Sequence, residues 1–256
     1  DKLVSEPLSV IKNFTDLKIR NILQKIDPDN NKEILIGSGY AEKIQDKSII
    51  SNRRNRGNDF SSLTSAKSSI FFFNLMKNKI DHPKWCLKKP GIGNWLVKNF
   101  RSFGGKDVRI LGAKTKISKY DFFQKFEPGE LISVQFFSDG KKTKILSILN
   151  QAQSQDTKNP FLIETIFTRK VKKIELSKIE NIVIKISKIF KLKGINNIDL
   201  ISKKHNLSNL KLLELNARPG LSTNIISRLN SRIYDDFNFN KKFKNPIFFF
   251  STTIIY

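Results

Sequence analysis

Apolar residues at Ile11, Phe14, Leu17, Ile19, Ile22, Leu23 and Ile26 recur close to helical spacing, which predicts a helix over residues 10–26. Glu33-Ile-Leu-Ile-Gly-Ser-Gly-Tyr40 reads as a short buried strand running into a glycine turn, so helix then strand makes half of an α/β unit. Residues 48–60, with three Arg, three Asn and a Gly, read as a connector, and a second helix is expected over 62–79. From about Trp95 the pattern shortens to strands at 95–98, 108–111, 120–126 and 132–138, with the loop Ser102-Phe-Gly-Gly105 between the first two. The turn Asp139-Gly140 pairs the strand at 132–138 with 144–150 as a hairpin. A helix over 176–190, apolar at Ile179, Ile182, Val183, Ile186 and Ile189, precedes strands at 195–201 and 210–216 joined by a turn at 202–209. The chain carries no internal repeat, and its elements predict an α/β (α+β) fold.

Composition changes this picture in one respect. The 256 residues hold 39% hydrophobic and 27% charged residues, ordinary for a globular protein, but the formal net charge is +24. Such a charge suggests a polyanionic partner. Against that, 37 Lys stand beside only 10 Arg, and they are spread along the chain amid abundant Asn, Ile and Phe. Lysine lacks the planar fork that reads phosphate, so a solvated, compositionally biased surface is the favoured account and nucleic acid is not expected as the main partner. The single Cys86 excludes an intrachain disulfide framework or a cysteine zinc cluster. The runs Ile70-Phe-Phe-Phe73 and Ile247-Phe-Phe-Phe250 fall short of the roughly 18 residues of a spanning helix. With no signal-like start, a soluble cytoplasmic protein is expected. Asp1 stands where a methionine would, and Tyr256 follows an apolar run, so truncation at both ends is expected as well.

Three segments carry candidate chemistry. Glu214 and Asn216 sit two apart on a strand and share a face, and the turn after the preceding strand brings Asp199 alongside. Two carboxylates and an amide oxygen are the hard ligands that Mg²⁺ takes; solvated polar residues on a hairpin are the competing account. Lys98 ends a strand before the Ser102–Gly105 loop, offering a cation and backbone N–H groups to phosphate, although a Gly-Gly turn between strands is commoner. This differs from the P-loop, whose lysine follows its glycines. In Phe122-Phe-Gln-Lys-Phe-Glu-Pro-Gly-Glu130 a strand ends in a connector whose backbone can meet adenine while a carboxylate takes ribose; the plain alternative is a Pro-Gly turn with a solvated Glu130. His82 and His205 stand isolated, and no Ser-His-Asp or Cys-His arrangement is apparent.

In this order, strand-Lys98 with its Gly-Gly loop, Pro-Gly-Glu130, strand-Asp199 and Glu214-Leu-Asn-Ala-Arg-Pro-Gly220, the motifs resemble the ATP-grasp superfamily from about Phe60 onward. The resemblance implies an ATP-grasp fold with two α+β subdomains gripping ATP. Residues 61–123 would form the small subdomain with the phosphate loop, and 124–256 the large one with the metal site. Residues 1–60 would be a partial pre-ATP-grasp unit. Lys98 would hold the α/β phosphates, the loop with Ser102, Gly104 and Gly105 would close over the β/γ phosphates, and Lys67 would reach phosphate from the preceding helix, a plain surface lysine being its alternative. The backbone of Gln124, Lys125 and Phe126 would meet adenine and Glu130 the ribose. Asp199, Glu214 and Asn216 would hold Mg²⁺, or Mn²⁺ in its place. Arg218 would steady the transferring phosphoryl group, with a structural salt bridge as its other role.

Two departures from the family pattern stand out: Gln124 replaces an acidic residue, and Lys106-Asp107 replaces a longer glycine loop. The layout is similar to stand-alone ATP-grasp proteins associated with one-carbon cofactor biosynthesis and to tyramine–glutamate ligase. The implied activity is ATP-dependent joining of a small-molecule carboxylate to an amine through an acyl phosphate. Arg169 and Gln151 flank the implied cleft as substrate contacts. The alternatives are a basic nucleic-acid-binding protein and a nucleotide-binding ATP-grasp protein without ligation.

Overall fold

The computed structural model describes residues 15–91, 93–203, 209–220, 222–223 and 252–253. Residues 10–14 of the first expected helix, His205 with most of the 202–209 turn, and the apolar run at 247–250 lie outside the described residues.

Helix α1, Asp16–Ile26, starts at Thr15, whose hydroxyl accepts the Lys18 N–H. The strand expected over 33–40 is absent. Ile34 makes only an isolated bridge to Asn55, and the chain then turns so that Gly39 N–H can donate to the buried Glu42 carboxylate at 2.7 Å. Helix α2 is the short turn Ser48–Ser51 inside the expected connector.

The helix expected over 62–79 forms as two, α3 at Phe60–Ala66 and α4 at Ser69–Met76. Ser-Ser-Leu-Thr-Ser offers local side-chain bonds that compete with the helix ladder, and the Thr64 hydroxyl donates back to Phe60 O at 2.8 Å. The break falls at Lys67, the C-cap of α3, and turns its side chain out of the helical run.

Strands β1 (Trp85–Cys86), β2 (Trp95–Asn99), β3 (Arg109–Ile110) and β4 (Asp121–Lys125) form a four-stranded antiparallel sheet in the order β1-β4-β2-β3. Phe73 stacked on Trp85, 4.5 Å between centroids, fastens it to α4, and Phe100 stacks on Phe122 of β4 at the same spacing.

The larger sheet contains β5 (Glu130–Asp139), β6 (Thr143–Gln153), β7 (Ile163–Thr168), β8 (Lys193–Ser202), β9 (Lys211–Asn216) and β10 (Thr252–Thr253). Its order is β10-β7-β6-β5-β8-β9, all antiparallel. The hairpin at Asp139-Gly140 forms as expected, whereas β7 was not anticipated.

Helix α5, Lys173–Phe190, packs on one face of this sheet. Glu175 accepts the Lys172 N–H at its start, and Lys191 closes it in the left-handed region. Ile179, Val183, Ile186 and Phe190 are spaced on one helical side and fully buried, against Ile132, Val134 and Phe136 of β5 and Ile198 and Leu200 of β8. Each such side chain contributes roughly 1.5–3 kcal/mol of burial. Alternation along the strands then sends every second residue to the opposite face, which is where polar residues collect.

Candidate functional site

Cross-strand register aligns two rows on that opposite face. Ser133 of β5 pairs with Asp199 of β8, which pairs with Glu214 of β9; one step along, Gln135 pairs with Asn197, which pairs with Asn216. Side chains at directly opposed positions lie on one side of the sheet, so these six form a single polar patch. The patch is internally bonded: Asn216 Nδ2 donates to Asp199 Oδ2 at 3.1 Å, Asn197 Nδ2 and Gln151 Nε2 donate to Asp199 Oδ1 at 3.2 Å, and the Ser133 hydroxyl donates to Asn197 Oδ1 at 2.9 Å.

The smaller sheet supplies the facing wall. Lys98 pairs with Phe122 and Leu96 with Gln124, so these four alternate onto one face, and all line the same cleft as Asp199, Glu214 and Asn216. Ser102, Gly104 and Gly105 line it too. Gly104 and Gly105 have φ of 67° and 79°, and a Cβ on Gly105 would stand 1.9 Å from Phe161 O. Ile163 N–H donates to Gly104 O at 3.2 Å, so the loop lies against the segment entering β7.

Lys67 reaches the cleft from the α3–α4 break. Its ammonium donates to Glu214 and, at 2.9 Å, to Asn216 Oδ1. Arg218 is only 5% exposed and its donors are largely committed. Nε donates to Glu42 Oε1 at 2.7 Å, Nη2 to Asn216 Oδ1 at 3.1 Å and Nη1 to Pro219 O at 2.9 Å.

Electrostatics follow from this crowding. Burial, and then the charge of Glu214, push the Asp199 carboxyl up to about 6. Burial also works to raise Glu214, but Lys67, Lys98 and Arg218 outweigh it and hold that carboxyl below its ordinary value. Lys98 is lowered by burial, with Glu214 and Asp199 offsetting part of the effect. Two carboxylates placed side by side on neighbouring strands favour a cation between them.

Among the described residues no three His, Cys, Asp or Glu side chains group together, so a metal here would rest on two carboxylates, the Asn216 amide oxygen and ligand oxygens. That all-oxygen set suits Mg²⁺. Gln124 gives a second test of fit. It is 1% exposed, and neither amide atom has a hydrogen-bond partner. A buried amide left unpaired is costly, and an adenine edge, with a donor beside an acceptor, satisfies both atoms at once.

A family model described as an ATP-grasp domain matches residues 68–222. The chain belongs to the ATP-grasp family. Its fold is accordingly shared with solved structures at low identity. A putative ATP-grasp superfamily protein from Archaeoglobus fulgidus is 15% identical with a TM-score of 0.56, over 71% of this chain and 54% of that one. D-alanine–D-alanine ligase from Bacillus anthracis is 14% identical with a TM-score of 0.61, over 84% and 79%. The biotin carboxylase domain of 2-oxoglutarate carboxylase from Hydrogenobacter thermophilus, solved with MgADP and bicarbonate, is 13% identical with a TM-score of 0.68, over 88% and 58%. The chain thus spans little more than half of the first and third. No curated protein matches it.

The cleft of this ATP-grasp chain gathers Lys67, Lys98, Ser102, Gly104, Gly105, Gln124, Lys125, Phe126, Asp199, Glu214, Asn216 and Arg218 from the residues singled out in the sequence, and Gln151 with them. It does not gather Glu130 or Arg169. These two pair with each other, Arg169 Nη1 donating to Glu130 Oε2 at 2.8 Å and to Asn150 Oδ1 at 2.9 Å. Glu127 lines the cleft instead, bonded by Lys211. The backbone of the 124–126 hinge is partly spent: Lys125 N–H donates to Lys84 O at 2.7 Å and Phe126 N–H to Asn94 O at 2.8 Å. For Arg218 the structural salt bridge is realised.

His82 packs its ring on Phe73, outside the cleft. Sequence reasoning missed Glu42, Glu127, Ser133, Gln135 and Asn197. Ser133 and Gln135 were findable, because Ile132, Val134 and Phe136 alternate with them.

Proposed function

We propose that the chain is a Mg-ATP-dependent ligase that joins a small-molecule carboxylate to an amine. The observation that carries this reading is the convergence of Asp199, Glu214 and Asn216, on the large sheet, with Lys98 and Gln124, on the small one, around a single cleft. In this reading Gln124 meets adenine through its side chain as well as its backbone, which accounts for the unpaired amide. Glu127 is the acid nearer the ribose hydroxyls, because Glu130 is held by Arg169. Lys98 and Lys67 neutralise phosphate, with the N–H groups of the 102–105 loop above them. Asp199, Glu214 and Asn216 would hold Mg²⁺, which when bound neutralises charge on the phosphates and aligns them. A substrate carboxylate oxygen displaces ADP from the γ-phosphorus, giving an acyl phosphate. The amine then attacks the acyl carbon, phosphate leaves with the carbon–oxygen bonding pair, and the ammonium proton passes to solvent. The chain's own contribution is positioning and electrostatics, with no protein nucleophile.

Calorimetric titration of the purified chain with ATP, with and without Mg²⁺, tests the reading. Wild type is expected to bind Mg-ATP. Lys98→Met removes a charge-assisted contact and is expected to weaken nucleotide binding roughly 10–100-fold. Glu214→Gln is expected to lose the Mg²⁺-dependent part while keeping a wild-type circular dichroism spectrum. Adding hydroxylamine with a panel of carboxylic acids then traps the acyl phosphate as a hydroxamate. A folded wild type that ignores Mg-ATP, or a Glu214→Gln protein that binds it equally well, sinks the proposal.

A further inference from the structure

Glu42 lies outside the stretch that matches the family model, yet its side chain is 0% exposed at the edge of the metal-ligand strand. One oxygen, Oε1, takes Arg218 Nε at 2.7 Å, stands 2.6 Å from Arg218 Nη2 and 3.9 Å from Lys67 Nζ. The other, Oε2, is fixed by Gly39 N–H. Both cations go on to Asn216 Oδ1, and Lys67 continues to Glu214. One carboxylate therefore holds the two basic side chains that bracket the candidate metal ligands. It also closes a charge balance. Glu42, Asp199 and Glu214 oppose Lys67, Lys98 and Arg218, so the cluster is neutral when all six are ionised. Without Glu42 it carries one net positive charge, at a depth where charges are weakly screened.

We propose that Glu42 is a positioning residue that sets the charge balance of the nucleotide site, holding Lys67 and Arg218 in place and keeping the cluster receptive to a divalent cation. The inference rests on the nucleotide-site reading above. It goes beyond that reading by assigning the N-terminal segment a defined part: the turn at Gly39 delivers a buried anion to a site built otherwise from residues 67–218. A salt bridge that served packing alone would, on removal, loosen the site and weaken all ligands together. A counter-charge makes a different demand, because its loss repels cations and attracts anions.

The test measures two simple ligands separately on the purified chain: Mn²⁺ alone, by the loss of its free electron paramagnetic resonance signal, and ADP without metal, by calorimetry. Glu42→Gln keeps the shape and is expected to weaken Mn²⁺ roughly tenfold while tightening metal-free ADP several-fold. Glu42→Asp keeps the charge and is expected to hold both within a few-fold of wild type. Adding Lys67→Met to Glu42→Gln returns the cluster to neutrality, and Mn²⁺ affinity is expected to recover; this double variant also serves if the single one does not fold. Both ligands weakening together, neither changing, or Mn²⁺ failing to recover in the double variant overturns the proposal. If wild type binds neither Mn²⁺ nor ADP, the nucleotide-site reading falls and this inference falls with it.

Discussion

Asp199 combines two opposing demands in one side chain. Under the proposed function it must be ionised to hold a divalent cation, yet burial and Glu214 raise its carboxyl to about 6, from an ordinary 3.8. Because the folded value lies above the unfolded one, the protonated form is favoured by folding. That contribution is complete below about pH 4 and is lost as pH rises through about 6. Glu214 has the opposite sign: its lowered carboxyl adds stability above its ordinary value of 4.5, lost as pH falls. Asp199→Asn should therefore stabilise the nucleotide-free chain at pH 7.5, with a difference in melting temperature from wild type that is small near pH 4 and grows through pH 6. The same variant should lose the additional thermal shift that Mg-ATP is expected to give wild type. Differential scanning fluorimetry across pH, with and without Mg-ATP, measures both. A variant that melts below wild type at pH 7.5 would show that the hydrogen bonds from Asn197, Gln151 and Asn216 matter more than the buried charge.

The 102–105 loop shows how an element is fixed by its contacts. Gly105→Val places a branched side chain at a φ of 79° and against Phe161 O, so the loop must leave the β7 segment or distort. The expected result is a several-fold rise in the dissociation constant for Mg-ATP with little change in melting temperature, since the loop is peripheral to the core that α5 covers. A large fall in melting temperature, about 3 kcal/mol or more in stability, would instead make this contact part of the fold's own support. The sequence showed the loop, β2, the hairpin, α5 and the paired strands of Asp199 and Glu214, because each has a periodic or turn signal of its own. It did not show where the loop docks, nor that residues 62–79 break at Lys67. The docking depends on Phe161, and although the Ser/Thr bonds that favour the break are local, the place of the Lys67 side chain depends on Glu42, Glu214 and Asn216, all far away in the chain. The pairing of Glu130 was hidden for the same reason, since its partner Arg169 lies beyond a hairpin and a further strand. Local pattern identifies which residues are chemical, whereas long-range pairing decides which of them meet.

The charge of +24 belongs to the chain as a whole. Exposed lysines occur on α1 (Lys18, Lys25), on the loops of the smaller sheet (Lys106, Lys114, Lys116, Lys119), on the β5–β6 turn (Lys141, Lys142) and along α5 (Lys173, Lys178, Lys185, Lys188). These elements are spread from α1 through the loops of both sheets to α5, so among the described residues the field is diffuse. A diffuse positive field still draws anions, and Mg-ATP carries net negative charge, so association should be accelerated over long range and screened by salt. Its bound state depends on the cleft, which salt screens less. The expectation is that raising salt from about 50 to 200 mM slows nucleotide association several-fold while leaving its dissociation rate nearly unchanged. A labelled single-stranded oligonucleotide should behave otherwise, because its hold would come from displaced counterions alone. Its affinity should fall by roughly 300-fold or more over the same range if six or more lysines contact phosphate. Stopped-flow nucleotide binding and fluorescence anisotropy with the oligonucleotide, run in the same salt series, separate the two. Retention of tight oligonucleotide binding at physiological salt, together with Mg-ATP binding that vanishes there, would move the main role from the cleft to the surface.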